Sequence, residues 1–193
     1  GSSSTLVHWC GKTGLVDRGA SFEGVGVNKI STYPVGNNLE GIYIDWMIFT
    51  HVHWDHVARI APTVLAHEES RVFFSSKTLE ELKIVLADSL SVQRKEAKRA
   101  YFSGLPAPVP MFTEDDVTIF LARADAGFYE IVDTDEEDVW TTFEDWPGWE
   151  FGFTFSGHTK GAFISIIKSP DGDGMVFTGD VSEHLNESLS ATA

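Results

Sequence analysis

The sequence predicts an α/β or α+β fold with a mixed sheet, because short apolar strands alternate along it with amphipathic helices. Residues 149–155 alternate aromatic with small or polar side chains, which is the pattern of a half-buried strand. From Thr78 onward, leucine and valine recur at helical spacing. The chain has 193 residues, of which 42% are hydrophobic, and this is the size of one domain with a substantial core. We therefore expect a single domain over residues 1–193.

The N-terminal half contains four strand patterns before its first long helix. The first two strands are predicted to form a hairpin around the turn Cys10–Lys12. A glycine-rich stretch then predicts a loop with little regular structure. Thr78 and Glu81 form a capping box, which predicts that the helix begins at about Thr78. The predicted strands cover residues 5–9, 13–17, 44–50 and 71–75.

The C-terminal half predicts one further helix and three strands. The prolines of residues 105–110 predict an extended linker, because each disfavours helix in the residue before it. Thr113 and the acidic residues after it cap a second helix. The three strands cover residues 149–155, 162–168 and 175–178, and a turn over 169–174 joins the last two.

Composition and charge argue against several classes of protein. No run approaches the roughly 18 apolar residues of a membrane span, and residues 1–5 lack the features of a signal peptide. Cys10 is the only cysteine, which excludes an intrachain disulfide and suits a reducing compartment. We therefore expect a cytoplasmic protein without a membrane partner. The net charge of −15 argues against a free-standing nuclease, because nucleic-acid-binding proteins usually carry a basic surface.

Four metal-capable side chains fall within six residues, directly after the apolar stretch 46–49. They are His51, His53, Asp55 and His56. Imidazoles and carboxylates at the end of a buried strand carry a desolvation cost, which a bound metal would offset. Zinc prefers imidazole nitrogen and carboxylate oxygen as ligands. This segment therefore predicts a metal site.

Further candidate ligands follow other strands. His158 comes after the strand 149–155, Asp180 after the strand 175–178, and Asp17 at the end of the hairpin. Strand ends on one edge of a sheet can converge in space, so these residues are expected near the first cluster.

Together these residues predict two metal sites. We assign the first metal to His51, His53 and His158. The second is assigned to Asp55 and His56, with Asp180 bridging the pair. Asp17 is expected to orient a ligand by a hydrogen bond rather than to bind metal. Two metals about 3.5–4 Å apart suit hydrolysis, because they stabilise both the attacking and the leaving oxygen.

The order Asp17, His51-x-His53-x-Asp55-His56, His158, Asp180 resembles the metallo-β-lactamase superfamily. The resemblance implies an αββα sandwich with mixed sheets and a metal site at the sheet edge. Softer similarities point to the β-CASP branch of RNA-processing nucleases. They lie in residues 1–19, 72–89 and 112–117.

Two features depart from the superfamily pattern. Val57 and Ala58 follow the Asp-His pair, where the superfamily usually has a glycine. The family's last ligand for the second metal is a histidine well downstream of the Gly-Asp motif, and His184 is the sole histidine after Asp180. The resemblance therefore implies the N-terminal part of the fold, incomplete at the C-terminus. The resemblance implies that both the β-CASP cap domain and the closing half are missing from this sequence, because another chain supplies them, because the sequence is a fragment, or because they have been lost.

The resemblance implies a zinc-dependent hydrolase that uses a metal-bound hydroxide. Two zinc ions per chain are expected, with Mn²⁺ or Fe²⁺ as alternative metals. Asp55 and Asp180 are the predicted catalytic residues, because either could accept the proton of the nucleophile.

The favoured activity is a phosphodiesterase or ribonuclease acting on RNA. One alternative is a small-molecule hydrolase for a lactone, thioester or other ester, which the aromatic residues Trp140, Trp146 and Trp149 would suit. The other is a non-catalytic scaffold subunit. An exposed sheet edge would also favour an oligomer.

Overall fold

The computed structural model describes residues 2–23, 30–32, 39–106, 108–135 and 137–182. Its first part contains six strands and three helices in the order β1 (Thr5–Trp9), β2 (Lys12–Val16), β3 (Ser21–Glu23), β4 (Ile30–Thr32), β5 (Trp46–Ile48), α1 (Trp54–Val57), α2 (Ile60–Ala66), β6 (Arg71–Phe74) and α3 (Ser76–Phe102). The second part adds α4 (Glu114–Asp125), β7 (Glu130–Ile131), β8 (Val139–Thr142), β9 (Glu150–Phe155), β10 (Phe163–Lys168) and β11 (Gly174–Phe177).

The strands form two main sheets, which confirms the mixed α/β prediction. The first sheet has the order β1-β2-β5-β6-β7, in which only the β1–β2 pair is antiparallel. The second sheet has the order β11-β10-β9-β8 and is antiparallel throughout. The parallel strands β2, β5 and β6 bring their carboxyl ends to one edge of the first sheet, and this edge carries the site described below.

Two hydrophobic cores separate three layers. The helices pack on one face of the first sheet through residues such as Ile60, Leu82 and Phe120. The other face of that sheet packs against the second sheet, where Phe73 stacks on Phe151 with ring centroids 5.1 Å apart. Of the αββα order, the described residues therefore supply one helical layer and both sheets.

The hairpin prediction is confirmed, with a turn one residue shorter than expected. Cys10 and Gly11 have φ values of 46° and 75°, as a two-residue turn with both central residues left-handed requires. The prediction of a loop with little regular structure after the hairpin is wrong in part, because β3 pairs with β4 in a small antiparallel sheet. Most of the glycines that suggested a loop lie outside the described residues.

The two predicted helix starts agree with the structure to different degrees. The predicted start at Thr78 is wrong by two residues, because α3 begins at Ser76 and the Ser75 hydroxyl accepts from the Thr78 amide. The second capped helix is confirmed: Thr113 and Asp116 form a reciprocal capping box at the start of α4. None of the described helices has the length and hydropathy that a membrane span requires.

Candidate metal centre

The segment with three histidines leaves the first sheet at the carboxyl end of β5. All three residues of β5 are buried, and so is Phe49 after them. Val52 and Trp54 pack against the helical core. Since alternate residues of an extended chain point to opposite sides, His51 and His53 point away from that core. The helix α1 then begins at Trp54 and carries Asp55 and His56 in its single turn.

Two other segments bring ligands to the same edge. His158 lies in the turn between β9 and β10, and Asp180 follows β11. The amide of Phe163, at the start of β10, donates to the carbonyl of Thr50 over 3.1 Å. This bond ties the second sheet to the end of β5, so side chains from both sheets meet there.

Four side chains converge into one group of potential metal ligands: His51, His53, His158 and Asp180, with one ligand atom of each within 4.8 Å of the others. His53 Nδ1 lies 3.0 Å from His51 Nε2 and 3.1 Å from His158 Nε2. Asp180 Oδ2 lies 3.7 Å from His51 Nε2 and 3.5 Å from His158 Nε2. Atoms bound at about 2.0–2.1 Å to a tetrahedral zinc ion lie about 3.3 Å apart, so this donor set fits zinc.

Asp180 also faces a second set of side chains. Its other carboxylate oxygen, Oδ1, lies 3.4 Å from His56 Nε2. The two oxygens of one carboxylate therefore point at different imidazoles, as a bridging ligand would. Asp55 lines the same open pocket as His56 and Asp180 but does not belong to the four-atom group. His184 lies outside the described residues.

Asp17 is buried beneath these ligands. Its Oδ2 accepts a hydrogen bond of 2.7 Å from His56 Nδ1, and its Oδ1 accepts one of 2.8 Å from the Thr50 amide. The backbone at Asp17 has a φ of 58°, a left-handed conformation that aspartate tolerates better than most residues. Because the His56 Nδ1 donates to Asp17, Nε2 is the ring nitrogen that faces Asp180.

The environment moves the pKa values of two histidines in opposite directions. Burial, and then the neighbouring His56 and His53, lower the pKa of His51 to about 3. Burial also lowers the pKa of His56, but the hydrogen bond and negative charge of Asp17 outweigh it and raise the pKa overall. His51 is therefore neutral at pH 7, which is the form that binds metal.

Backbone contacts hold the ligand-bearing turn in place. The Ser3 amide donates to the Asp55 carbonyl and the Arg18 amide to the His56 carbonyl, each over 2.7 Å. Gly19 lies so close to the Asp55 carbonyl that a Cβ there would clash with it. Ser2 and Ser3 also line the pocket that contains Asp55.

Three residues that shape this site were not predicted from the sequence: Thr50, Ser3 and Gly19. Thr50 has one local signal, a hydroxyl residue directly before the first histidine of the motif. The contacts of Ser3 and Gly19 with Asp55 span 52 and 36 positions, and no local pattern indicates them.

No protein-family model matches the chain, and no curated protein sequence is similar to it. Among solved structures, a metallo hydrolase from the archaeon Ignicoccus hospitalis matches with a TM-score of 0.50 and 14% identity, over 94% of this chain and 58% of that one. A metallo-β-lactamase with a HARLDQ motif from Cronobacter sakazakii gives a TM-score of 0.48 and 17% identity, over 94% of this chain and 54% of that one.

The chain thus spans a little over half the length of these two structures. Identities this low bear on the fold alone. The helical layer, the mixed sheet and the antiparallel sheet, together with the likeness to the archaeal metallo hydrolase, show that the chain shares the mixed α/β fold of that structure.

Proposed function

We propose that this protein is a metal-dependent hydrolase whose metal centre is built on His51, His53, His158 and Asp180. The observation that carries the proposal is the convergence of these four ligand atoms within 4.8 Å at the edge of the sheet. A metal ion bound between them would use the ring nitrogens that meet here at 3.0 and 3.1 Å. The archaeal structure of similar fold is itself described as a metallo hydrolase, which supports the assignment.

Zinc is the metal we propose, with two ions per chain. The first would take the four converging atoms. The second would take His56 Nε2 and Asp180 Oδ1, which lie 3.4 Å apart, together with Asp55. Because fewer donors face the second position among the described residues, it should bind its ion more weakly. Mn²⁺ and Fe²⁺ are the alternative metals, since carboxylate and imidazole also suit them.

When bound, such metals lower the pKa of water to about 7 and polarise the substrate oxygen. The side chains of the chain supply the rest of the chemistry. Asp180, with 45% of its side chain accessible, is one of two candidate proton acceptors that the pocket offers. Asp55, on the wall of the same pocket, is the other. Asp17 keeps the His56 ring in one orientation throughout.

As substrate we propose the phosphodiester bond of RNA. Two metals bridged by Asp180 would suit in-line displacement at phosphorus, in which charge develops on both the attacking and the leaving oxygen. The net charge of −15 means that basic contacts to RNA would have to come from elsewhere, such as a cap domain or a partner chain. A cytoplasmic location belongs to the same proposal.

The second candidate is a hydrolase of lactones, thioesters or other small esters. The acidic composition favours it, because such substrates need no basic surface. The same metal centre would serve both reactions, so the two candidates differ only in what the pocket recognises.

One experiment tests the metal centre and the substrate together. Purified protein is analysed for metal by elemental analysis, then assayed on a fluorescent RNA, a chromogenic phosphodiester and a chromogenic lactone. We expect close to two zinc ions per chain and cleavage of RNA. His53→Ala and Asp55→Ala should abolish turnover while the circular dichroism spectrum stays unchanged. Full activity of either variant in metal-free buffer would refute the mechanism, and cleavage of the lactone alone would select the second candidate.

A further inference from the structure

Thr50 is a polar residue with no solvent exposure. It is fully buried between Phe49 and His51. Its hydroxyl lies 3.1 Å from His51 Nδ1, and 3.1 and 3.0 Å from the two carboxylate oxygens of Asp17. A hydroxyl in a core needs hydrogen-bond partners, and these partners belong to the metal centre.

The hydrogen-bonding capacity of these groups decides which of them donates. A carboxylate only accepts hydrogen bonds, so the single proton of the Thr50 hydroxyl goes to Asp17. The oxygen of Thr50 then has only lone pairs to offer His51. His51 must therefore carry its proton on Nδ1 and donate it to Thr50, which leaves the lone pair on Nε2. This Nε2 is the atom that faces His53 and Asp180.

Thr50 also contacts the other segments of the site. Its amide donates to Asp17 over 2.8 Å, and its carbonyl accepts from Phe163 over 3.1 Å. A Cβ on Gly179, next to Asp180, would lie 2.8 Å from Thr50 Cβ and Oγ1. The residue therefore touches the end of β2, the start of β10 and the loop after β11.

We infer that Thr50 is a positioning residue of the metal centre: it links Asp17 to His51 and holds His51 with its proton on Nδ1. Asp17 thereby orients two metal-facing imidazoles, His56 directly and His51 through Thr50. This inference rests on the proposed metal centre for its functional meaning, but the state of the His51 ring is a property of the metal-free protein.

The test compares Thr50→Val, which keeps the shape of the side chain without its oxygen, with Thr50→Ser, which keeps the oxygen. Thr78→Val is the matched control, because Thr78 is also buried and hydrogen-bonded but lies in α3. Two quantities are measured on the whole chain: the ring-nitrogen shifts of His51 by ¹⁵N NMR without metal, and the zinc Kd by competition with a chelator.

We expect an Nδ1-protonated His51 in the unsubstituted protein and in Thr50→Ser, and loss of this single form in Thr50→Val. The zinc Kd should rise about 10–100-fold in Thr50→Val, the usual effect of removing a partner of a metal-binding histidine. Thr50→Ser should stay within about threefold by the same reasoning, since it keeps the acceptor. Thr78→Val should leave both the His51 ring form and the zinc Kd unchanged.

Three results would overturn the inference. One is an Nε2-protonated His51 in the unsubstituted protein, a result that the ¹⁵N NMR measurement gives even if Thr50→Val does not fold. Another is unchanged zinc affinity in Thr50→Val, and the third is an equal loss of affinity in Thr50→Ser and Thr50→Val. A different result separates this inference from the proposed function. If the unsubstituted protein binds no zinc, the proposed metal centre is wrong. The role of Thr50 in fixing the ring still stands if His51 is protonated on Nδ1 and Thr50→Val changes that form.

Discussion

The substitution Asp17→Asn removes the negative charge beneath the metal centre without disturbing the backbone. Asparagine tolerates the left-handed φ of 58° at this position, so the effect comes from the side chain alone. The carboxylate accepts a hydrogen bond from the Thr50 amide over 2.8 Å and from His56 Nδ1 over 2.7 Å. The Thr50 hydroxyl lies 3.1 and 3.0 Å from its two oxygens. The amide group of asparagine has one oxygen instead of two, so at least one of these buried donors loses its acceptor.

The magnitude follows from those bonds. A hydrogen bond to a charged group contributes about 1.5–3 kcal/mol, and a buried donor left without a partner costs a further 1–3 kcal/mol or so. We expect the free energy of unfolding to fall by about 3–5 kcal/mol, as when one partner of a buried ion pair is removed. Because His56 and Thr50 lose their fixed orientation, zinc affinity should also fall about 10–100-fold.

Two measurements check this prediction: urea unfolding of the metal-free protein, and zinc binding in competition with a chelator. Asp45→Asn is the matched control, because Asp45 also accepts from a backbone amide (Thr13, 2.8 Å) and a side chain (Lys12, 2.9 Å), but before β5 rather than after it. It should lose stability without losing zinc affinity. An Asp17→Asn protein that matches the unsubstituted one in both measurements would show that this carboxylate does not organise the site.

Three further predictions follow from the same geometry. His51 should make the metal-free protein less stable as the pH falls from about 6.5 toward 3, because this side chain takes up its proton at a higher pH in the unfolded chain than in the folded one. The contribution of this one group is at most about 1.4 kcal/mol per pH unit, so urea titrations should show a shallower pH dependence in His51→Gln. Gly179→Ala should lose about 1–3 kcal/mol and bind zinc more weakly, because the new methyl overpacks Thr50. Gly172→Ala, at a φ of 86° with open space around it, should show the backbone strain without the loss of affinity. Asp180→Ala should lower the metal content measured by elemental analysis from two ions toward one, because the three histidines remain for the first metal; an unchanged content of two would contradict the bridging role.

Much of the candidate site could be predicted because its residues follow strand ends. The motif after β5 is compact, and His158 and Asp180 each come directly after a run of strand-forming residues. Once those strands lie in two packed sheets, the ends fall on one edge, and the structure brings His51, His53, His158 and Asp180 together there. The hairpin and the capping box of α4 are equally local, and both were predictable for that reason.

The parts that escaped prediction depend on contacts distant in sequence. β7 has only two residues, too few for a periodic pattern, and β8 was not predicted either. The short β3–β4 pair sits among glycines that favour turns. In the sequence, Thr50 resembles any other strand residue. Its contact with Asp17, 33 positions away, exists only in the folded structure. Substrate preference could not be predicted for another reason. It depends on the arrangement of charge on the surface, which composition does not describe.

The position of residues 2–4 has a practical consequence for any study of the metal. The Ser3 amide holds the carbonyl of Asp55, and Ser2 and Ser3 line the pocket with His56 and Asp180. Whatever polypeptide is attached ahead of Ser2 therefore begins beside the metal centre. A polyhistidine affinity tag placed there would add imidazoles beside the proposed second metal position and raise the apparent stoichiometry. Metal content is best measured on protein that carries its tag at the other end, or from which the tag has been cleaved.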